Sequence, residues 1–285
     1  MVFEHFHLML GCLLSLLGAC FGSFAALITH RLPLGQSIIT PGSHCSSCSS
    51  FLKPWQNIPI VSWIFLRGKC GNCRSLIGLR PLVIELILMM GMIAIYAKYG
   101  LSVALIERFF FLFLLVCLAY IDLDTYFLPY GLLLALFALG VVFNSIYVMS
   151  PSLYVSPSGV NGLLGYFIFD ESTSFSLTNK ILGALIGFFS LVGMNLLMTY
   201  VLRKSSRLKK DQWAMGFGDP LLLCAIGLFV GIEHLLLTIF LAASVGSVVG
   251  ILLTFKTPSR CADVPSGAVP FGPFLAIAAI YVYLL

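Results

Sequence analysis

Residues 109–124 read Phe109-Phe110-Phe111-Leu112-Phe113-Leu114-Leu115-Val116-Cys117-Leu118-Ala119-Tyr120-Ile121-Asp122-Leu123-Asp124. The run carries no charge until its end, where two aspartates arrive almost together. Extended back to residue 102, it reaches the roughly 20 residues that cross the hydrocarbon core of a bilayer. The rest of the chain agrees. Of its 285 residues, 60% are hydrophobic and 9% charged, with a mean hydropathy of +1.04. A soluble domain carries about 25% charged residues, so composition excludes a water-soluble globule. Disorder, which needs low apolar content, is excluded as well. A formal charge of +5 is too small to suggest nucleic-acid binding, and no nucleic-acid partner is expected.

Working outward from that stretch, similar runs fall at about 8–29, 82–100, 102–121, 128–148, 179–202, 219–232, 234–255 and 268–285. They predict an all-α polytopic membrane protein with about eight transmembrane helices. Tyr99-Gly100 and Gly231-Ile232-Glu233-His234 divide the two longest runs, since glycine favours a tight reversal. The amino terminus does not read as a cleavable signal peptide, because Glu4, His5 and His7 stand where a basic region is needed.

Charge sets the expected orientation. Of the 16 basic residues, only Lys98, Arg108 and Lys180 fall outside the alternate loops at 30–81, 122–127, 203–218 and 256–267. By the positive-inside rule those four loops are cytoplasmic and both termini lie outside. The outer loop at about 149–178 reads as a connector with no assignable chemistry. The expected organisation is a first transmembrane helix at 1–29, a cytoplasmic domain at 30–81 and a helical membrane domain at 82–285.

The 30–81 segment contains Cys45-Ser46-Ser47-Cys48 and, 21 residues later, Cys70-Gly71-Asn72-Cys73. Two C-x2-C pairs at this separation approximate a zinc ribbon. A two-residue spacer lets one turn aim both sulfurs at a tetrahedral ion, and Gly71 is expected to ease the turn. About 50 residues build little core, so bound zinc would supply folding energy. A closed four-thiolate shell leaves no position for water, so the role of Cys45, Cys48, Cys70 and Cys73 would be structural. Paired disulfides or unrelated thiols are the alternatives, and a reducing compartment disfavours the first.

Acids near span ends are costly and need a reason. Asp122 and Asp124 close one span. Gly216-Phe217-Gly218-Asp219 opens another after the basic residues 203–210. The topology places them at similar depth on one face. Two carboxylates that meet cannot both ionise cheaply, so they share a proton. One then takes a proton from water while the other polarises a scissile carbonyl, as in aspartic proteases. Gly216 and Gly218 would let a peptide approach the backbone. Asp122 and Asp124 point to nearly opposite sides of a helix, so only one faces Asp219. Helix capping is the alternative for each acid, with Pro129 in the first turn of the next helix. Neither an H-E-x-x-H helix nor a G-x-S-x-G elbow occurs.

Several patches together resemble the bacterial type IV prepilin peptidases, membrane aspartic proteases of the GxGD type. They are Gly22-Ser23-Phe24 with Arg31-Leu32-Pro33; the two cysteine pairs with Asn57-Ile58-Pro59 and Ser62-Trp63 between them; and Arg80 with Glu85. Further on come Ile121-Asp122-Leu123-Asp124 with Leu128-Pro129, then Met215-Gly216-Phe217-Gly218-Asp219, and Pro270-Phe271-Gly272-Pro273-Phe274-Leu275-Ala276. The resemblance selects Asp122, seven residues before Pro129, and Asp219 as the catalytic pair. It implies a substrate with a short basic leader and a hydrophobic helix, a type IV prepilin or type II secretion pseudopilin, cut after a glycine at the cytoplasmic face of the bacterial inner membrane. It also implies possible N-methylation of the new amino terminus with S-adenosylmethionine, which no glycine-rich nucleotide loop here supports independently.

The chain departs from that family's pattern at Ala26, Pro81-Leu82, Tyr130, Ala214 and Pro220-Leu221. Loss of the usual acid at 214 and base at 221 bears on methylation and substrate range more than on proteolysis. The basic 203–210 loop is expected to bind anionic inner-leaflet lipids. A rival reading is a polytopic transporter or an inactive assembly scaffold that uses the cysteine loop for docking. A transporter would need charges at mid-bilayer depth, whereas the acids here cluster at span ends.

Overall fold

The structure, a computed structural model, describes residues 2–150, 177–205, 213, 216–254 and 270–284. Most of the 149–178 connector, the basic residues 206–210, Ala214, Met215 and the 256–267 loop with Cys261 lie outside these residues. The described chain is helical, with no strand beyond two isolated bridges, His44 with Phe51 and Lys69 with Leu76. The helices are α1 (Val2–Arg31), the short α2 (Val61–Phe65), α3 (Arg80–Tyr99), α4 (Val103–Thr125), α5 (Tyr130–Met149), α6 (Leu177–Lys204), α7 (Gly218–Thr254) and α8 (Gly272–Leu284). Six of them are long and apolar enough to cross a membrane, so the chain is a multi-pass membrane protein.

The segments expected at 219–232 and 234–255 are two helical arms, counted together as α7, that meet at the expected break, Gly231 (φ 71°, ψ 174°). Only glycine takes that backbone cheaply. Met194 of α6 lines hollows shared with Gly216–Asp219 on one side and with Ile239 and Ala243 on the other. Both arms of α7 therefore return to the same stretch of α6. The last run shortens to the 13 residues of α8.

Two compact units divide the chain, one built on residues 1–117 and the other on 118–152 and 161–285. Lipid removes the hydrophobic drive between helices, so small residues that allow close backbone approach decide the packing. In the first unit, a Cβ at Gly18 would lie 2.8 Å from the Leu88 carbonyl oxygen, and one at Gly22 would meet the Glu85 backbone. These glycines, one turn apart, seat α1 on α3. Phe21 then packs edge-on to Phe109, Phe110 and Phe113, with ring centroids 5.3–5.7 Å apart. Arg108 stacks on Tyr99 at 3.8 Å.

The second unit repeats the device. Gly183 faces the backbone of Gly227 and Gly231, and Gly187 faces the Leu223 carbonyl, bringing α6 against the first arm of α7. On α5, the buried Asn144 amide donates to the carbonyls of Gly140 (2.7 Å) and Leu228 (2.9 Å). An interhelical hydrogen bond of this kind contributes about 0.6 kcal/mol in a membrane.

Candidate active site

Asp122 lies in the last turn of α4 and is 5% exposed. Asp219 lies in the first turn of α7. Both line one cavity of about 470 Å³. Gly216, Phe217 and Gly218 form one wall, and the turn from α4 to α5 forms another through Tyr126, Phe127, Leu128 and Tyr130. Met194, Asn195 and Met198 of α6 and Pro270-Phe271 close the rest.

Local backbone explains this meeting. α4 stops where Tyr126 turns left-handed (φ 54°), its N–H still donating to the Asp122 carbonyl at 2.9 Å. The chain then runs extended to Pro129 (φ −68°, ψ 123°), whose fixed ring precedes α5. Leu128, 4% exposed, packs against Gly218. A Cβ there would approach the Leu128 Cβ to 2.9 Å. The second glycine of G-x-G-D thus makes room for the Leu-Pro turn and sets Asp219 near Asp122. Gly272 packs against the Asp122 carboxylate, with no room for a Cβ between them. Asp122 Oδ2, fully buried, has no hydrogen-bond partner among the described residues.

The other acid behaves differently. Asp124 is exposed and does not line the cavity. Neither Asp122 nor Asp124 caps α5, whose N-cap is Pro129 with no side-chain cap bond. Pro129 itself shapes the turn from outside the cavity. Sequence reasoning missed Asn195 and Gly272. Asn195 is 2% exposed, and its Oδ1 accepts the Thr199 hydroxyl at 3.4 Å. A polar amide inside the apolar 179–202 run was the available signal. Gly272 stood only within the Pro270–Ala276 motif of the resemblance, because its role depends on where α8 docks.

The four cysteines converge. One ligand atom from each of Cys45, Cys48, Cys70 and Cys73 lies within 4.8 Å of the others, and Cys45 Sγ is 3.8 Å from Cys73 Sγ. A tetrahedron with metal–sulfur bonds of about 2.3 Å has edges of roughly 3.8 Å, so the cluster fits a metal ion. Each pair sits in the same knuckle. Cys45 N–H donates to Ser50 (3.0 Å) and Cys70 N–H to Ser75 (2.8 Å), while the N–H groups of Ser47 and Asn72 point at Cys45 and Cys70 sulfur, each at 3.4 Å. The left-handed residues are Ser49 and Arg74, not Gly71 as the sequence suggested. Gly71 instead leaves space for the Gln56 side chain. Backbone N–H groups of Cys48 and Ser47, with the Ser75 hydroxyl, pull the Cys45 thiol down to about 6. Hydrogen bonds from Ser50 lower Cys48 as well.

Two buried charges organise the same segment. The Arg31 guanidinium donates to the carbonyls of Ser37 (3.1 Å), Pro41 (2.7 Å) and Gly42 (3.0 Å). Sequence alone gave Arg31 a topological meaning and a place in the resemblance, not these contacts. Glu85 accepts the Ile60 N–H at 2.7 Å. Ile60 is left-handed (φ 62°), a strained backbone for a β-branched residue that persists only when its surroundings impose it.

Residues 109–251, half of the chain, match the profile described as the type IV leader peptidase family. The chain belongs to that family. Residues 16–99 match the bacterial peptidase A24 N-terminal domain. Three relatives carry the name prepilin leader peptidase/N-methyltransferase. The Pseudomonas aeruginosa protein is 30% identical over 92% of this chain and 86% of its own length. The Myxococcus xanthus protein is 29% identical over 90% and 69%, and the Neisseria gonorrhoeae protein 28% over 95% and 89%. No solved structure matches the chain. Tyr130 lines the cavity as well, with its ring edge-on to Phe127 at 5.9 Å.

Proposed function

We propose that this chain is an aspartic endopeptidase that removes the leader from type IV prepilins or pseudopilins, with Asp122 and Asp219 as its catalytic pair. The observation that carries the reading is that these two aspartates, 97 positions apart in sequence, line one cavity while Asp124 does not. The pair shares a proton. The buried, unpartnered Asp122 Oδ2 suits the base that draws a proton from the attacking water, with Gly272 packed against the carboxylate. Protonated Asp219 donates to the scissile carbonyl oxygen. As water adds, the carbonyl becomes a tetrahedral diol. Proton return to the leaving nitrogen then breaks the C–N bond.

Positive-inside topology supports a cavity at the cytoplasmic face of the bacterial inner membrane, where a basic leader remains. Arg203 and Lys204, at the end of α6, suit anionic inner-leaflet lipid and would repel that leader. Cys45, Cys48, Cys70 and Cys73 would hold structural zinc, which supplies folding energy to the loop when bound. N-methylation with S-adenosylmethionine is carried by the relatives' names alone. A tagged type IV prepilin, incubated with the purified protein with and without S-adenosylmethionine, separates the activities by mass. Loss of the leader is expected in both arms, and an added methyl group only with the donor. An uncut prepilin in both arms would overturn the assignment.

A further inference from the structure

Beside the catalytic cavity lies a second hollow of about 380 Å³, lined by Leu191, Met194, Ile239, Ala243, Phe271 and Phe274. Met194 and Phe271 line both spaces, so the two adjoin. The hollow sits deeper along the helices. On α6 its wall is one turn inward from Asn195, and on α8 Phe274 is one turn inward from Phe271, a shift of about 5 Å per turn. Its two hydroxyls are committed to their own helices. Ser190 donates to the Gly187 carbonyl (2.9 Å) and Ser247 to that of Ala243 (2.7 Å). An occupant therefore meets hydrocarbon. Ala243 is exposed and Met194 is 51% exposed, so the hollow opens sideways, where a membrane helix can enter.

We infer that this hollow is the subsite for the first apolar side chains on the carboxyl side of the cleaved bond. The inference rests on the prepilin-cleaving assignment and adds a direction to it. An extended peptide advances about 3.3 Å per residue, so one or two residues beyond the cavity reach the hollow. A charged leader would be buried there without a partner, which is costly, so it leaves on the aqueous side. The substrate chain thus runs from the aqueous rim, past Asp122 and Asp219, into the groove between α6, α8 and the second arm of α7. Ala243 and Ile239 set how large the first retained side chain is.

The test uses two tagged prepilins that carry Phe or Ala immediately after the cut, assayed with full-length protein in membranes. The readout is the ratio of kcat/KM for the Phe form over the Ala form. Filling the groove with Ala243→Phe should lower that ratio by roughly tenfold, the scale of discrimination in an apolar pocket. Enlarging it with Ile239→Ala should raise the ratio, and this variant decides the matter if Ala243→Phe does not insert. Ratios equal to wild type in the inserted variants, including a uniform loss on both substrates, overturn the subsite. Failure of the underlying assignment reads differently: wild type would cut neither prepilin, or Asp219→Ala would cut both.

Discussion

Gly272 lies directly against the Asp122 carboxylate, and a Cβ at position 272 would run into its Oδ2. The residue at the start of α8 must thus stay small to leave the proposed base its place. Displacements near 1 Å at a reacting group can cost about 100-fold in rate. Gly272→Ala should therefore lower kcat on a tagged prepilin by about that factor, with the inserted amount of protein unchanged. A wild-type kcat would remove the positioning role.

Asn195 presents the clearest polar group in the cavity besides the aspartates, with Thr199 holding its Oδ1. Replacing it by Leu takes a hydrogen-bonding amide from the site, and loss of one such donor costs up to about 1,000-fold in kcat. A fall in kcat with little change in KM is expected. If both constants stay at wild type, Asn195 serves only to satisfy Thr199.

Gly227 and Gly183 meet backbone to backbone, and a Cβ on Gly227 would lie 2.6 Å from the Gly183 carbonyl. No side-chain movement can relieve that contact. Gly227→Ala should destabilise the protein by about 1–3 kcal/mol, seen as a lower thermal midpoint in detergent. Gly131→Ala, in open space on α5, is the control and should leave the midpoint unchanged.

The cysteine knuckles predict metal content. Purified protein should carry one zinc ion, and Cys45→Ser or Cys73→Ser should lose it and leave residues 32–79 open to protease. Glu85→Ala should expose the same segment while zinc stays bound, because Glu85 holds Ile60 and not the sulfurs. Equal metal content in wild type and Cys45→Ser would discard the metal site.

How far the sequence reached follows from which signals are local. Asp122, Asp219 and the cysteines stood out because acids and C-x2-C pairs are rare and costly in such an apolar chain. Asp122 and Asp124 could be ranked only by resemblance, whereas the end of α4 separates them directly, one lining the cavity and one exposed. Gly231 was legible as a reversal, because glycine between two long apolar runs is a local signal; the stretch of α6 that both arms face was not. Gly272, Phe271 and the buried Arg31 stood within motifs of the resemblance, but their contacts did not follow from the sequence. Each acquires its role from a partner distant in sequence, and no local periodicity encodes that partner.

The most direct measurement compares initial rates of leader removal for wild type and the Asp122→Asn, Asp219→Asn and Asp124→Asn proteins, at matched amounts in membranes. Activity should fall by at least about 1,000-fold for the first two, the scale of losing a member of a catalytic unit, and stay near wild type for Asp124→Asn. Undiminished cleavage by either Asp122→Asn or Asp219→Asn would contradict the shared-proton pair on which the account depends.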